Sequence, residues 1–218
     1  MIGVILIKHL LAGIFAIYVS LAGYNVVTSV PEEMVYIIQT ADGRGNGSGV
    51  LVAPGVILTA RHVAEAVAYV PLFVKHDGVL RKVKVKAMDT NADLALLEVD
   101  GMADLDLKVA SISSSLPSNG TEVKAVGFPM NRTFQGQITT EGKVVGIVED
   151  RLMATASILP GNSGGGLFAR NWYFKYEVVG ITVSAPIIPL GFTAVPAFHI
   201  GNSVPSNYIW LFLHSYGF

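Results

Sequence analysis

The sequence contains no cysteine among its 218 residues. Disulfide bonds, zinc sites built from thiolates and a cysteine nucleophile are therefore excluded. Charge is also scarce, because 15 basic and 16 acidic residues make up only 14% of the chain and leave a net charge of −1. Without a basic face, nothing in the composition favours nucleic acid as a partner.

Glycine and proline, at 23 and 10 residues, are spread along the chain and are typical of many short strands joined by turns. A helix is predicted at 206–214, with Ser206 or Asn207 as its cap, and 186–196 is predicted to form an extended apolar hairpin. Periodicity and turn signals predict strands at 35–39, 48–52, 56–59, 81–86, 94–99, 122–127, 137–140, 143–148, 152–157, 165–168 and 177–183.

The N-terminal region, residues 1–31, has no acidic residue, and its run 10–27 is almost wholly apolar. That length is marginal for a membrane span, which needs about twenty apolar residues. A signal peptide cleaved after Ser20-Leu21-Ala22 fits equally well, and a buried core helix is the structural alternative. Lys8 precedes the run and two glutamates follow it, so we expect an exported or anchored protein whose remainder lies outside the cytoplasm.

The stretch 160–166 encloses Ser163 in small residues, on a turn whose backbone N–H groups can converge on one point. Acyl transfer requires such an arrangement, with an exposed hydroxyl nucleophile beside donors aimed at a developing oxyanion. Because glycine turns are usually only turns, the interpretation depends on whether the chain also supplies a base and a carboxylate.

His62 and Asp93 are the candidates for those two roles. His62 follows an apolar strand, and Asp93 directly precedes another. A histidine can take the proton of a serine and deliver it to the leaving amine, and a buried aspartate orients and stabilises the imidazole. The order His, Asp, Ser is that of chymotrypsin-type enzymes. Asp89 is a rival carboxylate close by, and each residue taken alone is compatible with a structural role.

Four segments in this order resemble the trypsin-like serine proteases of the HtrA/Deg type, within the chymotrypsin superfamily. They are 47–50 with 58–63, 93–97, 161–165 and 200–207. The resemblance implies an all-β fold of two six-stranded antiparallel β-barrels, with an N-terminal hydrophobic helix and a C-terminal helix. Residues 32–110 would form the first barrel, 111–120 a linker, 121–205 the second barrel and 206–218 the helix. Because only thirteen residues follow Pro205, we expect no PDZ domain of the kind common in HtrA proteins.

The resemblance also implies a serine endopeptidase with an acyl-enzyme intermediate. Ser163 would be the nucleophile, His62 the base and Asp93 its orienter, and the N–H groups of Gly161 and Ser163 would form the oxyanion hole. No cofactor or metal is expected. Asn162 stands where digestive enzymes carry an aspartate that pairs with a new N-terminus, which favours control by loop order at 154–161.

The substrate pocket follows by register from the same resemblance. Because no acid occupies its floor, a small or medium apolar side chain is predicted before the scissile bond, rather than Arg or Lys. The extended substrate is expected to add to a strand edge. The predicted binding residues are Ser157, Ile158 and Leu159 on the floor and wall, Asn202, Ser203 and Val204 opposite them, and Thr182, Val183, Ser184 and Ala185 on the strand edge.

The expected partners are protein or peptide substrates and, if the N-terminal segment is not cleaved, a membrane. A homo-oligomer is compatible with the resemblance, because HtrA relatives are often trimers. Two other functions stay open. One is a catalytically silent pseudoprotease acting as a protein-binding or holdase module, and the other is a viral polyprotein-processing serine protease.

Overall fold

The computed structural model describes residues 30–130, 133, 136–190 and 193–218. The apolar run 10–27 and the signal or anchor expected there lie outside the described residues. Across the described ranges, no helix has both the length and the apolar character needed to span a membrane.

Six antiparallel strands close the first barrel in the order β1-β2-β3-β6-β5-β4. A short helix, α1 (Arg61–Ala64), follows β3, and 3-10 turns lie at Pro31–Met34 and Glu65–Ala68. Aliphatic side chains such as Leu51, Ile57 and Leu97 fill the interior of this barrel. The strands are β1 (Val35–Thr40), β2 (Asn46–Ala53), β3 (Val56–Ala60), β4 (Leu72–His76), β5 (Val79–Asp89) and β6 (Leu94–Val99).

The second barrel is closed in the order β10-β11-β14-β9-β8-β7. Strands β12 (Ile187–Leu190) and β13 (Thr193–Pro196) form a separate two-stranded sheet between β11 and β14, and helix α2 (Ser206–Ser215) follows β14. The barrel strands are β7 (Glu122–Gly127), β8 (Ile138–Val148), β9 (Arg151–Ala154), β10 (Gly166–Arg170), β11 (Tyr176–Ser184) and β14 (Gly201–Pro205).

Besides the apolar interiors of the two barrels, a separate apolar cluster joins them. It combines Leu58 and Leu96 of the first barrel with Phe168 and Ile181 of the second, all four of them fully buried. The apolar face of α2, including Ile209, packs on the same cluster. The connection at 111–120 is held to the second barrel, where Ile112 bridges to Val178.

These observations confirm the predicted fold class, with two six-stranded antiparallel barrels and a C-terminal helix. The boundaries drawn at 32–110, 111–120 and 121–205 stay a prediction.

Three local predictions were wrong or incomplete. Strand β4 was missed, because only two of its five side chains are buried and its alternation is weak. The separate strands at 137–140 and 143–148 are one strand, β8, which passes Ala156 so closely that only Gly142 fits. Pro205 holds the N-cap position of α2, and no side chain caps the helix. Ser206 is the first residue of the helix, and its hydroxyl donates to the carbonyl of Ser115 at 3.4 Å.

Candidate active site

Strand pairing brings His62 and Asp93 together. β3 pairs with β6 so that Ala60 lies opposite Leu94, and the residues just outside these two ends therefore become neighbours. Nδ1 of His62 lies 3.0 Å from Oδ2 of Asp93, and the backbone N–H of His62 donates to Oδ1 at 3.1 Å. The backbone N–H of Arg61 donates to the Asp93 carbonyl at 3.1 Å. The aspartate is thus fixed relative to both the ring and the backbone of the histidine.

The two side chains differ in their exposure to solvent. The Asp93 side chain is 20% exposed, whereas that of His62 is 43% exposed. Burial raises the pKa of Asp93, but the hydrogen bonds and charge of His62, with a smaller contribution from the Arg61 charge, outweigh it and hold the pKa below its ordinary value. The carboxylate is therefore kept ionised beside the imidazole.

Asp89, the rival carboxylate, belongs to the turn that precedes Asp93. Its Oδ1 accepts the backbone N–H groups of Asn91 and Ala92, at 2.8 and 3.1 Å. This bonding closes the turn between β5 and β6, and Asp93 then adopts a left-handed conformation with φ of 62°. Asp89 shapes the approach to the site, whereas Asp93 contacts the histidine.

Ser163 lies on a tight turn between β9 and β10. The Asn162 N–H donates to the Leu159 carbonyl at 3.0 Å, and the Gly165 N–H donates to the Asn162 carbonyl at 2.8 Å. The Ser163 hydroxyl donates to the carbonyl of Val183 at 3.3 Å, and within the described residues no hydrogen bond joins it to His62. The two side chains nevertheless line one pocket of about 230 Å³, whose other walls include Val63, Ala66 and Leu72.

Two backbone donors beside Ser163 are free. In the described part of the chain, the N–H groups of Gly161 and Ser163 donate to no acceptor, although their neighbours Asn162, Gly164 and Gly165 all do. Gly161 has a φ of +100°, which favours glycine. Such a pair of unpaired donors next to a hydroxyl is the arrangement that an oxyanion requires.

The turn that carries Ser163 is held by the first barrel as well as the second. The buried Ser48 hydroxyl donates to the Gly161 carbonyl at 2.8 Å and accepts the Phe128 N–H at 2.8 Å, while the Ser48 N–H donates to the Ser163 carbonyl at 2.8 Å. Asn46 adds a bond from its amide to the Phe128 carbonyl at 2.6 Å. Sequence reasoning placed Ser48 in a motif but did not find this contact, because nothing in the sequence says which side chain crosses between barrels.

Asn162 is buried, and its Oδ1 has no hydrogen-bond partner among the residues that the structure describes. This oxygen lies close to Gly127 and Ser48, since a Cβ atom placed on Gly127 would be 2.9 Å from it and 3.0 Å from the Ser48 hydroxyl. Asn162, at the position where digestive enzymes carry a paired aspartate, therefore lies near the Ser48 hydroxyl that holds the turn.

The predicted substrate-binding residues fall into two groups. Ser157, Leu159, Ser184, Ala185 and Asn202 are wholly or partly exposed, whereas Ile158, Thr182, Val183, Ser203 and Val204 are buried. Ile158 packs inside the second barrel and Val204 in the cluster between the barrels, so these two side chains are not open to a ligand.

The strand edge expected at 182–185 is partly present. β10 pairs with β11 only as far as Ile181, while β14 continues to pair as far as Ser184. Thr182 uses its N–H and carbonyl in bonds to Gly165 and Gly164, at 2.9 and 2.7 Å. The free edge therefore begins at Val183.

Among the described residues, no three histidine or carboxylate side chains come close enough together to hold a metal ion.

Comparison with known proteins agrees with this geometry. A family model described as a trypsin-like peptidase domain matches residues 47–181, more than half of the chain. The serine protease Do-like HtrB of Bacillus subtilis is 32% identical over 165 residues, which are 69% of this chain and 33% of that protein. A probable periplasmic serine endoprotease, DegP-like, of Rickettsia conorii is 29% identical over 189 residues, which are 82% of this chain and 35% of that one. The chain thus spans about a third of the length of these relatives.

Solved structures agree as well. The crystal structure of the serine endoprotease from Yersinia pestis has a TM-score of 0.67 and 26% identity, covering 84% of this chain and 62% of that one. The Rv3671c protease, in an inactive form, reaches the same TM-score at 19% identity, covers 89% of this chain and 94% of that one, and supports the fold alone.

Proposed function

Because the chain belongs to the trypsin-like peptidase family, we propose that it is a serine endopeptidase of the HtrA type that cleaves polypeptides through Ser163, His62 and Asp93. The observation that carries the proposal is the juxtaposition of a partly buried aspartate and its histidine from one barrel with a serine turn from the other, around one pocket.

In the first step, the Ser163 Oγ attacks the scissile carbonyl carbon while its proton passes to the unprotonated ring nitrogen of His62. Asp93, at 3.0 Å from Nδ1, holds the ring in orientation and stabilises the imidazolium that forms. The carbonyl oxygen becomes negative and accepts the free N–H groups of Gly161 and Ser163. Collapse of this intermediate breaks the C–N bond, and His62 returns the proton to the leaving amine. Water then hydrolyses the acyl-enzyme by the same path.

The Val183 carbonyl connects substrate binding to activation of the serine. An extended substrate that adds to the free edge of β11 would donate a backbone N–H to this carbonyl, which now accepts the Ser163 hydroxyl at 3.3 Å. Substrate binding would release the hydroxyl to turn toward His62. The five partly exposed residues of the predicted set, together with the backbone of Val183, would line the substrate path.

We also propose an extracytoplasmic location for the catalytic part, supported by two Rickettsia relatives that are described as probable periplasmic endoproteases. Residues 1–31 would serve as signal or anchor, 32–110 and 121–205 as the two barrels, and 111–120 as their connection. The partners would be polypeptide substrates, with a homo-oligomer compatible with the family.

The rival function is a pseudoprotease that binds polypeptides without cleaving them, and one observation favours it. The Ser163 hydroxyl is bonded to Val183 and not to His62. In such a protein the free donors and strand edge would bind a peptide, but the hydroxyl would not be activated.

Labelling with a fluorophosphonate probe separates the two functions, because the probe reacts only with an activated serine. The peptidase proposal requires labelling of the full chain that is lost in Ser163→Ala and kept in Ser114→Ala, a change at an exposed serine outside the site. Folded wild-type protein, checked by circular dichroism, that takes up no probe and leaves denatured casein intact would establish the pseudoprotease instead.

A further inference from the structure

The hairpin of β12 and β13 projects from the second barrel between β11 and β14. Its strands pair with each other from Ile187↔Pro196 to Leu190↔Thr193 and form a sheet separate from both barrels. Residues 184–198 include no charged side chain. An uncharged two-stranded sheet whose strands pair with neither barrel is unusual on a protein surface, because isolated hairpins are only marginally stable.

The hairpin is apolar on both of its faces. Ile187 and Ile188 are 69% and 42% exposed, and Val195 on the opposite strand is 42% exposed. Since successive side chains of a strand point to opposite faces, the adjacent isoleucines present apolar surface on both sides. Contiguous exposed apolar surface of this kind marks a place where another molecule binds.

The base of the hairpin is fixed to the elements that carry the site. The Ala197 N–H donates to the Pro186 carbonyl at 2.8 Å, which closes the base of the hairpin. The Ile158 N–H donates to the Phe198 carbonyl at 2.7 Å, and Ile158 directly precedes the turn that carries Ser163. The hairpin therefore continues the free edge of β11 and is held beside the turn that carries Ser163.

We propose that this hairpin binds apolar residues of the polypeptide substrate upstream of the scissile bond, an inference that rests on the proposed peptidase function. In antiparallel addition, the residue before the scissile bond lies opposite Val183, and the third residue before it lies opposite Ala185. The fifth and sixth residues then reach Ile187 and Ile188. The substrate class is thus an extended, unfolded segment with an apolar run at its fourth to sixth positions before the cut.

Continuity with the β11 edge favours a substrate over a lipid bilayer or a second copy of the chain. A bilayer-binding loop needs no alignment with a substrate strand, and neither does a dimer contact. Binding of the hairpin to a bilayer or to a second copy of the chain would each give a different result in the binding measurement below.

The experiment compares Ile187→Ser/Ile188→Ser with a matched control, Trp172→Ser/Phe174→Ser. The control removes two side chains that are 89% and 71% exposed in the turn before β11, at the far end of that strand from the hairpin. A cleavage site mapped in denatured casein supplies the peptide sequence. Two peptides carry leucine or serine at the fourth to sixth positions before the cut, and a third, shortened peptide lacks these positions.

The expected result is a specific loss of selectivity. Wild-type protein and the control prefer the leucine peptide, and the hairpin variant loses about tenfold or more in kcat/KM on it, the value of burying one such side chain. All three proteins cleave the shortened peptide equally. An unchanged leucine-to-serine ratio in the hairpin variant would overturn the inference, and so would an equal loss on the shortened peptide.

A binding measurement keeps the inference separate from turnover. Labelled denatured casein is titrated against Ser163→Ala with and without the hairpin changes, and weaker binding with the changes supports the hairpin as a substrate site even if the wild-type protein cleaves nothing. Equal binding overturns the inference. If casein binding is equal but the hairpin changes abolish co-sedimentation with vesicles, the hairpin binds a bilayer. If casein binding is equal but the hairpin changes halve the mass in light scattering, the hairpin binds a second copy of the chain.

Discussion

Asp93 is linked to His62 through both the ring and the backbone, at 3.0 and 3.1 Å. These bonds and the charge of His62 lower the pKa of Asp93 in spite of its burial. A carboxyl group whose pKa is lower in the folded state binds fewer protons there than in the unfolded state. Its ionised form therefore contributes stability that is present above the unfolded-state pKa and is lost as the pH falls through the folded-state pKa.

We therefore expect the difference in free energy of unfolding between wild type and Asp93→Asn to depend on pH. The difference should shrink as the pH falls below about 3.9, the ordinary pKa of an aspartate. Urea denaturation at a series of pH values measures it. A difference that grows with falling pH would mean that the pKa of Asp93 is raised instead.

Ser48 acts on the site through the turn that carries Ser163. Its hydroxyl donates to the Gly161 carbonyl and accepts the Phe128 N–H, both at 2.8 Å, and so fixes the residue that supplies one free donor. Removing the hydroxyl leaves a buried N–H group unpaired, which costs about 1–3 kcal/mol. Complete loss of one oxyanion donor costs about two to three orders of magnitude in turnover.

Ser48→Ala should consequently lower kcat by about tenfold or more, short of the complete loss of a donor, and leave KM nearly unchanged. The control is Ser113→Ala, which removes another buried hydroxyl, one that donates to the Ser115 carbonyl at 3.0 Å away from the site. Steady-state kinetics and thermal unfolding are measured on both variants. Equal losses of stability with equal kcat values would reduce Ser48 to a purely structural residue.

At the level of single residues, the sequence was a good guide where contacts follow strand register. His62 and Asp93 lie just outside the paired ends of β3 and β6, and the sequence associated them by their places beside apolar strands and by the order of the family motifs. The Ser48 contact with Gly161 joins residues 113 positions apart in different barrels. Its geometry depends on how the barrels dock, which local patterns do not encode.

The turn between β9 and β10 is the element that decides the site, and it is packed tightly against the first barrel. Gly164 has a φ of +84°, and a Cβ atom there would lie 2.1 Å from both the Ser48 carbonyl and the Thr59 hydroxyl. Gly120 has the same φ of +84°, with nothing within 4 Å of its Cβ position. The two glycines share a left-handed φ, but a Cβ atom would clash only at Gly164.

Gly164→Ala should therefore displace the turn and abolish probe labelling, whereas Gly120→Ala should cost only the strain of a left-handed residue, about 1–2 kcal/mol. Thermal unfolding and fluorophosphonate labelling of both variants separate the two effects. Similar labelling of the two variants would show that the turn tolerates displacement from the first barrel.

The same packing explains why some elements escaped prediction from the sequence. β8 was divided at Glu141-Gly142 because glycine usually marks a turn, but Gly142 is there to let the backbone of Ala156 approach within 2.3 Å of its Cβ position. β4 has a weak alternation and is recognisable only once β1 and β5 are seen on either side of it.

In the whole molecule, the site is divided between the two barrels. His62 and Asp93 come from the first, and Ser163 comes from the second, so their alignment depends on the cluster that joins them. Phe168 is fully buried in that cluster, and its ring lies over Gly166 at the start of β10, three residues after Ser163. Leu152 is equally buried but packs inside the second barrel.

Phe168→Ala and Leu152→Ala should both lower the free energy of unfolding, by about 3–5 and 2–5 kcal/mol respectively. Only Phe168→Ala should also lower kcat of the folded fraction, because its cavity lies between the barrels and lets Ser163 shift relative to His62. Urea denaturation gives the stability and the folded fraction, and steady-state turnover at low temperature divided by that fraction gives kcat per folded molecule. If the two variants have the same kcat after this correction, docking of the barrels does not control the alignment, and the bonds from Ser48 to the turn suffice to set it.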